Sequence, residues 1–401
     1  MKIVILGLTI TSSWGNGHAT TFRSLCRALH QRGHQIDFVE KDVEWYRSHR
    51  DLPAPEYCTV HLYSHWAAEI AASILKLAHH ADVVVVGSYF PDAIAATRLI
   101  LDDSSTPIFF YDIDTPVTLA ALRKNGSTDY LDAEMISDYA AYLSFSGGPA
   151  LREIEEVFHS PLAVALYCSV DPHLYRKTLV QSTYRCDLSY LGTYAADRQP
   201  KLMALLNSPA GRLPNQRFLV AGPMYPRETV WAGNVETINH VAPQDHPAFY
   251  SSSRFTLNLT RDEMVRLGYS PSVRLFEASA CGAAILSDNW PGLESFLTPG
   301  EEVLIASSVD EVVAILRDMT DQERLTIGER AQDRILSCHT SHHRALEFEK
   351  VVERVYSTAG NHGYVDGVAR AGYDSVRAFA SSTSSTIDLT RKSGASVTSS
   401  S

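Results

Sequence analysis

The sequence predicts an α/β protein of two domains, each a parallel sheet covered by helices, facing one another across a cleft. Three observations predict it. The chain has 401 residues, and at roughly 100–200 residues per domain that is two or three domains. Its strands are apolar throughout, as in DVVVVG (82–87) and PIFFYD (107–112), which marks strands buried on both faces, separated by helices. The alternation then starts afresh after Tyr175.

In order, Lys2–Gly7 is a short apolar strand, and Thr9–Gly17 is a loop. His18–Gly33 places Phe22, Leu25, Cys26 and Leu29 at helical spacing, with Gly33 set to stop the helix. Gln35–Glu40 is a strand, Ala67–His80 a helix, Asp82–Gly87 a strand, Asp92–Leu101 a helix and Pro107–Asp112 a strand. Ala141–Phe145 and Leu162–Leu166 complete the first series. In the second, Asp187–Leu191, Arg217–Ala221, Val235–His240, Phe255–Leu259, Ala284–Ser287 and Glu302–Ile305 are strands. Helices cover Pro200–Leu206, Ser272–Ala280, Val309–Arg317, Asp321–Leu336 and Thr340–Tyr356. The boundary falls near 168–185, giving domains of 1–170 and 171–356, with the last helix able to cross back to the first. In 357–401 Gly and Ala give way to a stretch with 13 Ser or Thr in the final 21 residues. Such a composition buries too little apolar surface to order itself.

The formal net charge is −11. That argues against nucleic acid as a partner, since phosphate neutralisation needs a broad basic surface. No apolar run approaches the ~20 residues of a transmembrane segment, and the apolar start reads as a first strand, not a signal peptide. Six scattered cysteines without a CxxC indicate neither a zinc site nor a disulfide framework. They read as buried, reduced thiols of a cytoplasmic protein.

Two segments carry chemistry. Gly15-Asn16-Gly17-His18 joins the first strand to the first helix, where glycine lets the backbone approach a ligand and the helix dipole favours a phosphate. It is not a dinucleotide fingerprint, because Thr20 stands at the third glycine position, although Glu40 sits near the expected acidic position. The second is RDEMVRLGYSPSVRLFEASACGAAILSDNWP (261–291). Here Glu277 lies in a helix among Phe276, Ala278, Ser279 and Ala280, where a carboxylate is costly unless something satisfies it. A ribose diol would, since a carboxylate can accept two hydroxyl hydrogen bonds. Arg274, three residues earlier, shares its face and is the alternative, structural partner.

The run LFEASACGAAILSDNWPGLESF resembles the donor-binding stretch of nucleotide-sugar glycosyltransferases of the GT-B fold, and more closely the spore-maturation-protein-like (CgeB-type) group. YDIDTPVTL (111–119), LSFSGGPAL (143–151), LYCSVDPHLY (166–175) and FTLNLTRDEM (255–264) resemble that group's segments in the same order. The resemblance covers roughly residues 1–355. It implies two Rossmann-like domains and transfer of a hexosyl or related sugar from a nucleotide diphosphate sugar to an acceptor hydroxyl, without metal or other cofactor. It aligns Glu277 with the second glutamate of an E-x7-E pattern that holds the donor ribose; the first falls on Tyr269, a departure that leaves the sugar and the stereochemical outcome open. Arg198 and Lys201 lie where that class often places cations near the diphosphate; Arg261, at the carboxyl end of the strand Phe255–Leu259, is another candidate, and Arg274 joins them in the donor set.

On the acceptor side the general-base candidates are His18 and Asp114, and the glycines 15 and 17 would contact the donor. Asp112 and Asp114 resemble a metal-binding DxD, but they end a first-domain strand, and Asp114 either caps the helix beginning Thr115-Pro116 or contacts the acceptor. Tyr46, Trp66 and Trp14 either stack on a sugar face or simply pack. The competing readings are a nucleotide-sugar epimerase of the same fold and a non-catalytic nucleotide- or carbohydrate-binding protein; an NAD-dependent oxidoreductase fits less well.

Overall fold

The computed structural model describes residues 1–15 and 17–361. Its first sheet holds β1 (Lys2–Leu6), β2 (Gln35–Lys41), β3 (Thr59–Tyr63), β4 (Val83–Gly87), β5 (Ile108–Asp112), β6 (Ala141–Ser144) and β7 (Ala163–Ala165). Their order is β3-β2-β1-β4-β5-β6-β7. The second holds β8 (Cys186–Leu191), β9 (Phe218–Ala221), β10 (Val235–Ile238), β11 (Ser253–Asn258), β12 (Ala284–Ser287) and β13 (Leu304–Ile305), ordered β10-β9-β8-β11-β12-β13. Every strand pairing in both sheets is parallel.

Residues alternate between the two faces of each sheet, and both faces are covered. Along β1, Ile3 and Ile5 enter one apolar cluster while Val4 and Leu6 enter another. On β11, Phe255 and Leu257 belong to a third cluster on the outer face of the second sheet. The first of these clusters runs through both domains, and the last helix, Ser341–Asn361, joins it through Phe348, Val351 and Val352. That helix packs on the helix His18–Gln31 of the first domain. Glu349 accepts from Arg32 Nε at 2.6 Å and lies 2.8 Å from His34 Nε2, and Tyr356 donates to the Asp82 carbonyl at 2.6 Å.

Several elements differ from the sequence expectation. β3 (TVHLY) is an edge strand in which every residue but Tyr63 is half-buried or exposed, so it lacks the continuous apolar run that betrays its neighbours. Short helices at His246–Ser252 and Asp262–Leu267 also went unread. The helix expected to stop at Leu206 continues instead: Gln199–Leu202 passes through one wide, π-type turn, Met203–Asn207, into Ser208–Arg212. The wide turn accommodates Pro209, which has no N–H to give, and Ser208 Oγ donates back to the Met203 carbonyl at 2.9 Å. Of the cysteines, four are buried, but Cys58 is only half-buried and Cys338 is exposed. Among the described residues no helix is long and apolar enough to cross a membrane. The Ser/Thr-rich tail lies outside the described residues.

In both sheets the strand order reverses beside the first strand, between β1 and β4 and between β8 and β11. Parallel sheets bind ligands beyond the carboxyl ends of the strands at such reversals, where adjacent loops diverge to opposite faces and leave a crevice. The two crevices face each other here.

Candidate active site

A cavity of about 480 Å³ lies between the domains, within the range of small-molecule sites. Of the residues singled out from sequence, Gly15, Gly17, His18, Asp114, Arg198, Arg261, Arg274 and Glu277 all line it; Lys201 does not.

Glu277 sits in the helix Val273–Ala280 and is 6 % exposed. Its carboxylate has His246 Nδ1 at 3.8 Å, too far for a hydrogen bond. Burial and the Glu277 carboxylate together push the Tyr175 and Tyr250 phenols well above their usual range, so both keep their protons and serve as donors beside it. Arg274 is not spent on Glu277. Its Nε donates to the Leu191 carbonyl at 2.7 Å, its Nη1 to Asn258 Oδ1 at 3.2 Å, and its guanidinium lies 4.7 Å from the Tyr190 ring centroid. The structural Arg–Glu pair open to the sequence is therefore not what satisfies the carboxylate.

Arg198 anchors one nitrogen on the Thr193 carbonyl at 2.8 Å and leaves Nε buried without a partner. Arg261 follows β11 and meets Asp197 at 3.4 Å; although burial would raise the Asp197 carboxyl, the arginine's charge holds it below its usual value. Lys201 stands behind this wall. It donates to the Thr260 carbonyl at 2.8 Å and contacts Asp288 at 3.2 Å and Asp262 at 3.3 Å. It thereby braces the loop that carries Arg261. The backbone is also shaped for close approach: a Cβ at Gly222, which has φ +141°, would meet the Gly192 carbonyl oxygen at 2.1 Å. Both glycines line the cavity at the ends of β8 and β9, and neither stood out in the sequence because no motif contains them.

The opposite wall belongs to the first domain. Its glycine loop is clamped from beneath by Glu40, which is fully buried and accepts from Thr9 Oγ1, Ile10 N, Thr11 N and Thr11 Oγ1 at 2.6–3.0 Å. Glu40 is thus committed to the loop's own backbone and is not placed to read a ribose. The helix His18–Gln31 starts at the cavity, with its positive dipole end toward it. His18 is buried, and its Nδ1 has no partner. Burial lowers its pKa from 6.5, an effect that the Asp114 charge partly offsets. Asp114 occupies the N-cap position of the helix Thr115–Asn125, yet its side chain makes no capping bond. Contrary to the capping expectation, its carboxylate accepts from Tyr89 at 3.3 Å. Asp112 turns away and is fully buried, accepting from Tyr142 at 2.6 Å and Thr118 at 2.9 Å. Burial raises its carboxyl to about 6. The two carboxylates therefore have different surroundings, and among the described residues no group of three His, Cys, Asp or Glu could hold a metal ion.

Tyr89 was missed by sequence reading. It follows β4 in the left-handed region, φ +64°, a costly conformation for an aromatic residue that its surroundings must enforce. Its ring meets His18 edge-on at 5.3 Å while its hydroxyl reaches Asp114. It thus touches both general-base candidates.

Tyr269 does not line the cavity. Its ring lies between two glycines of positive φ: a Cβ at Gly148 would come within 2.5 Å of it and one at Gly292 within 2.6 Å. Its carbonyl accepts from Gly147 N at 3.0 Å, and Ser270 and Ser146 hydroxyls meet at 2.9 Å. Where the resembled pattern has a glutamate, this chain has a residue committed to the seam between domains.

Residues 198–350, less than half of the chain, match the family model described as glycosyl transferase-like. No curated protein matches by sequence. Solved structures match over nearly the whole chain. Sucrose-phosphate synthase from Thermosynechococcus elongatus aligns at 12% identity and TM-score 0.64, over 89% of this chain and 100% of that one. HepE from Anabaena, solved with UDP and glucose, aligns at 11% identity and TM-score 0.61, over 88% and 100%. The E. coli trehalose-6-phosphate protein solved with UDP-2-fluoro glucose aligns at 12% identity and TM-score 0.63, over 88% and 99%. With its two parallel-sheet domains opposed across a cleft, the chain has the GT-B glycosyltransferase fold.

Proposed function

We propose that the protein is a glycosyltransferase that moves a hexosyl or related sugar from a nucleotide diphosphate sugar to an acceptor hydroxyl. One observation carries the reading. A single interdomain cavity sets a buried carboxylate and three arginines on its second-domain wall opposite a buried histidine and an aspartate on its first-domain wall. The sequence segments that resemble CgeB-type enzymes support a place in that group, and the family match over the second domain supports the donor side. UDP-sugars are the first donors to test, because similar folds have been solved with UDP or UDP-glucose analogues.

In this reading Glu277 accepts from the ribose hydroxyls. Arg198, Arg261 and the positive end of the helix at His18 face the diphosphate. The bond from the sugar's anomeric carbon to the diphosphate oxygen breaks, its electron pair stays on the diphosphate, and the acceptor oxygen bonds to the anomeric carbon. Fixed cations opposite that growing charge stabilise the transition state more than the ground state, without reorganisation. The arginines replace a metal in this role. The acceptor's proton goes to His18 or Asp114 if configuration inverts, or to the leaving diphosphate if it is retained. Burial helps the first route, since a lowered pKa leaves His18 neutral at pH 7 and able to take a proton. The net charge of −11 supports an acceptor other than nucleic acid.

A thermal-shift screen against UDP-, GDP- and TDP-sugars tests the donor half. Binding to the folded state alone at 100 times Kd adds about 2.7 kcal/mol, a readily measured rise in Tm. Incubating the binding donor with and without acceptors then separates transfer from epimerisation, which would change the sugar with no acceptor present. No Tm shift with any nucleotide sugar overturns the proposal.

A further inference from the structure

β2 is followed by a short helix, Glu44–Arg47, that holds Trp45 outward, 51 % exposed. Trp45 meets Trp14 edge-on at 4.7 Å, and Trp14 stacks on His49 at 4.4 Å with the rings 25° apart. His49 is fixed in turn: its Nδ1 lies 3.1 Å from the Trp45 carbonyl and 3.0 Å from Ser48 Oγ, and its carbonyl accepts from Ser12 Oγ at 2.8 Å. Ser13 and Gly15, on either side of Trp14, both line the cavity. Trp14 thus lies between two residues of the lining, and the three rings stand next to the first-domain wall without lining the cavity themselves.

The platform stands on a rigid base. Glu40 clamps residues 9–11 as described. Asp51 takes the Ser13 N–H at 2.9 Å and both guanidinium ends of Arg23 at 2.8 Å, and although burial alone would raise its carboxyl, Arg23 holds it at about 2. A lone exposed aromatic needs no explanation. An exposed indole fixed by two further rings, on a loop anchored by two carboxylates and contiguous with a cleft, is a surface prepared for a ligand. Its surroundings are ionic: Asp42 pairs with Arg47 and Arg50 beside it. An apolar face rimmed by charged hydrogen-bonding groups matches a pyranose, which has one C–H face and a rim of hydroxyls. The other two aromatic candidates from the sequence are not so placed, since Trp66 packs on the core and Tyr46 is half-buried.

We propose that Trp45, supported by Trp14 and His49, forms an acceptor subsite that takes a glycoside, with one sugar ring laid on the exposed indole. This rests on the transferase reading above and names its acceptor class. Glu277 and the three arginines belong to the second domain and this platform to the first, so the sugar donor and the acceptor would approach from opposite walls.

The test uses the full chain saturated with UDP on a glycan array, with calorimetric titration of UDP run separately on each variant. Wild type is expected to bind at least one class of glycan. Trp45→Ala should weaken that binding roughly tenfold or more, Trp45→Phe should keep most of it, and both should bind UDP within about twofold of wild type, given that no donor group is touched. A silent array, or unchanged glycan binding in Trp45→Ala, overturns the subsite. Loss of UDP affinity in Trp45→Ala also overturns it, by placing the nucleotide on the platform. Glycan binding that needs Trp45 in a protein that binds no nucleotide leaves the subsite standing and sinks the transferase reading instead.

Discussion

Replacing Glu277 by Gln changes one atom and one charge at a buried site, so its effect isolates the carboxylate. The glutamine fits the same space and keeps a hydrogen-bonding end among Tyr175, Tyr250 and His246, so the fold should survive. Two hydrogen bonds from a ribose diol to a carboxylate are worth about 1.5–3 kcal/mol each, and neutral ones roughly half as much. The substitution therefore removes about 1.5–3 kcal/mol of donor binding, or about 10- to 150-fold in Kd. Glu277→Ala loses both bonds and the carboxylate beside the Tyr175 and Tyr250 phenols, and should be weaker still. Isothermal titration with UDP and with the matching 2′,3′-dideoxy nucleotide makes the assay specific. Wild type should lose affinity for the dideoxy ligand, whereas Glu277→Gln should discriminate far less between the two. Equal losses for both ligands in the mutant, or a Kd within threefold of wild type, would refute the ribose assignment.

Three further outcomes follow from the same geometry. If His18 takes the acceptor proton, kcat/KM should fall on the acid side with a midpoint below 6.5, because burial lowers the histidine's pKa; His18→Ala should cut kcat by about 10²–10⁴ and abolish that limb, and an unchanged profile would remove His18 from the chemistry. Asp112 has a folded pKa raised from 3.8 to about 6, so its contribution to stability is full below pH 3.8 and is lost as pH rises through 6. That loss is about 3 kcal/mol; urea denaturation of Asp112→Asn, against wild type, should show this pH-dependent gap open between pH 4 and 7. Gly148→Ala sets a methyl group against the Tyr269 ring at a positive φ, and should cost upwards of about 1–3 kcal/mol or separate the domains; chemical denaturation and small-angle scattering would report either, and a neutral effect would show the seam to be loose.

The sheets were legible because their inner strands are unmixed apolar runs that admit only burial on both faces. β3 was not, because an edge strand needs no such run. The helix expected to end at Leu206 runs on through Pro209 because a wider turn accommodates the proline's missing N–H. Glu277 could be found because a carboxylate among Phe and Ala is anomalous in one dimension. Lys201 could not be separated from Arg198 and Arg261, since three residues of helix decide whether a cation faces the cleft or the loop behind it. Glu40 shows the converse: its spacing suggested a ribose partner, while in three dimensions it spends its oxygens on the loop of residues 9–11. Tyr89 carried no sequence signal at all; its role follows from a left-handed backbone and from contacts 71 and 25 residues away, to His18 and Asp114.

A crystal structure with UDP soaked or co-crystallised tests the central claim most directly. The account predicts the ribose hydroxyls within hydrogen-bond reach of Glu277, the diphosphate between Arg198, Arg261 and the start of the helix at His18, and the cavity otherwise open toward His18 and Asp114. A nucleotide bound elsewhere, or in this cavity with its ribose turned away from Glu277, would contradict it.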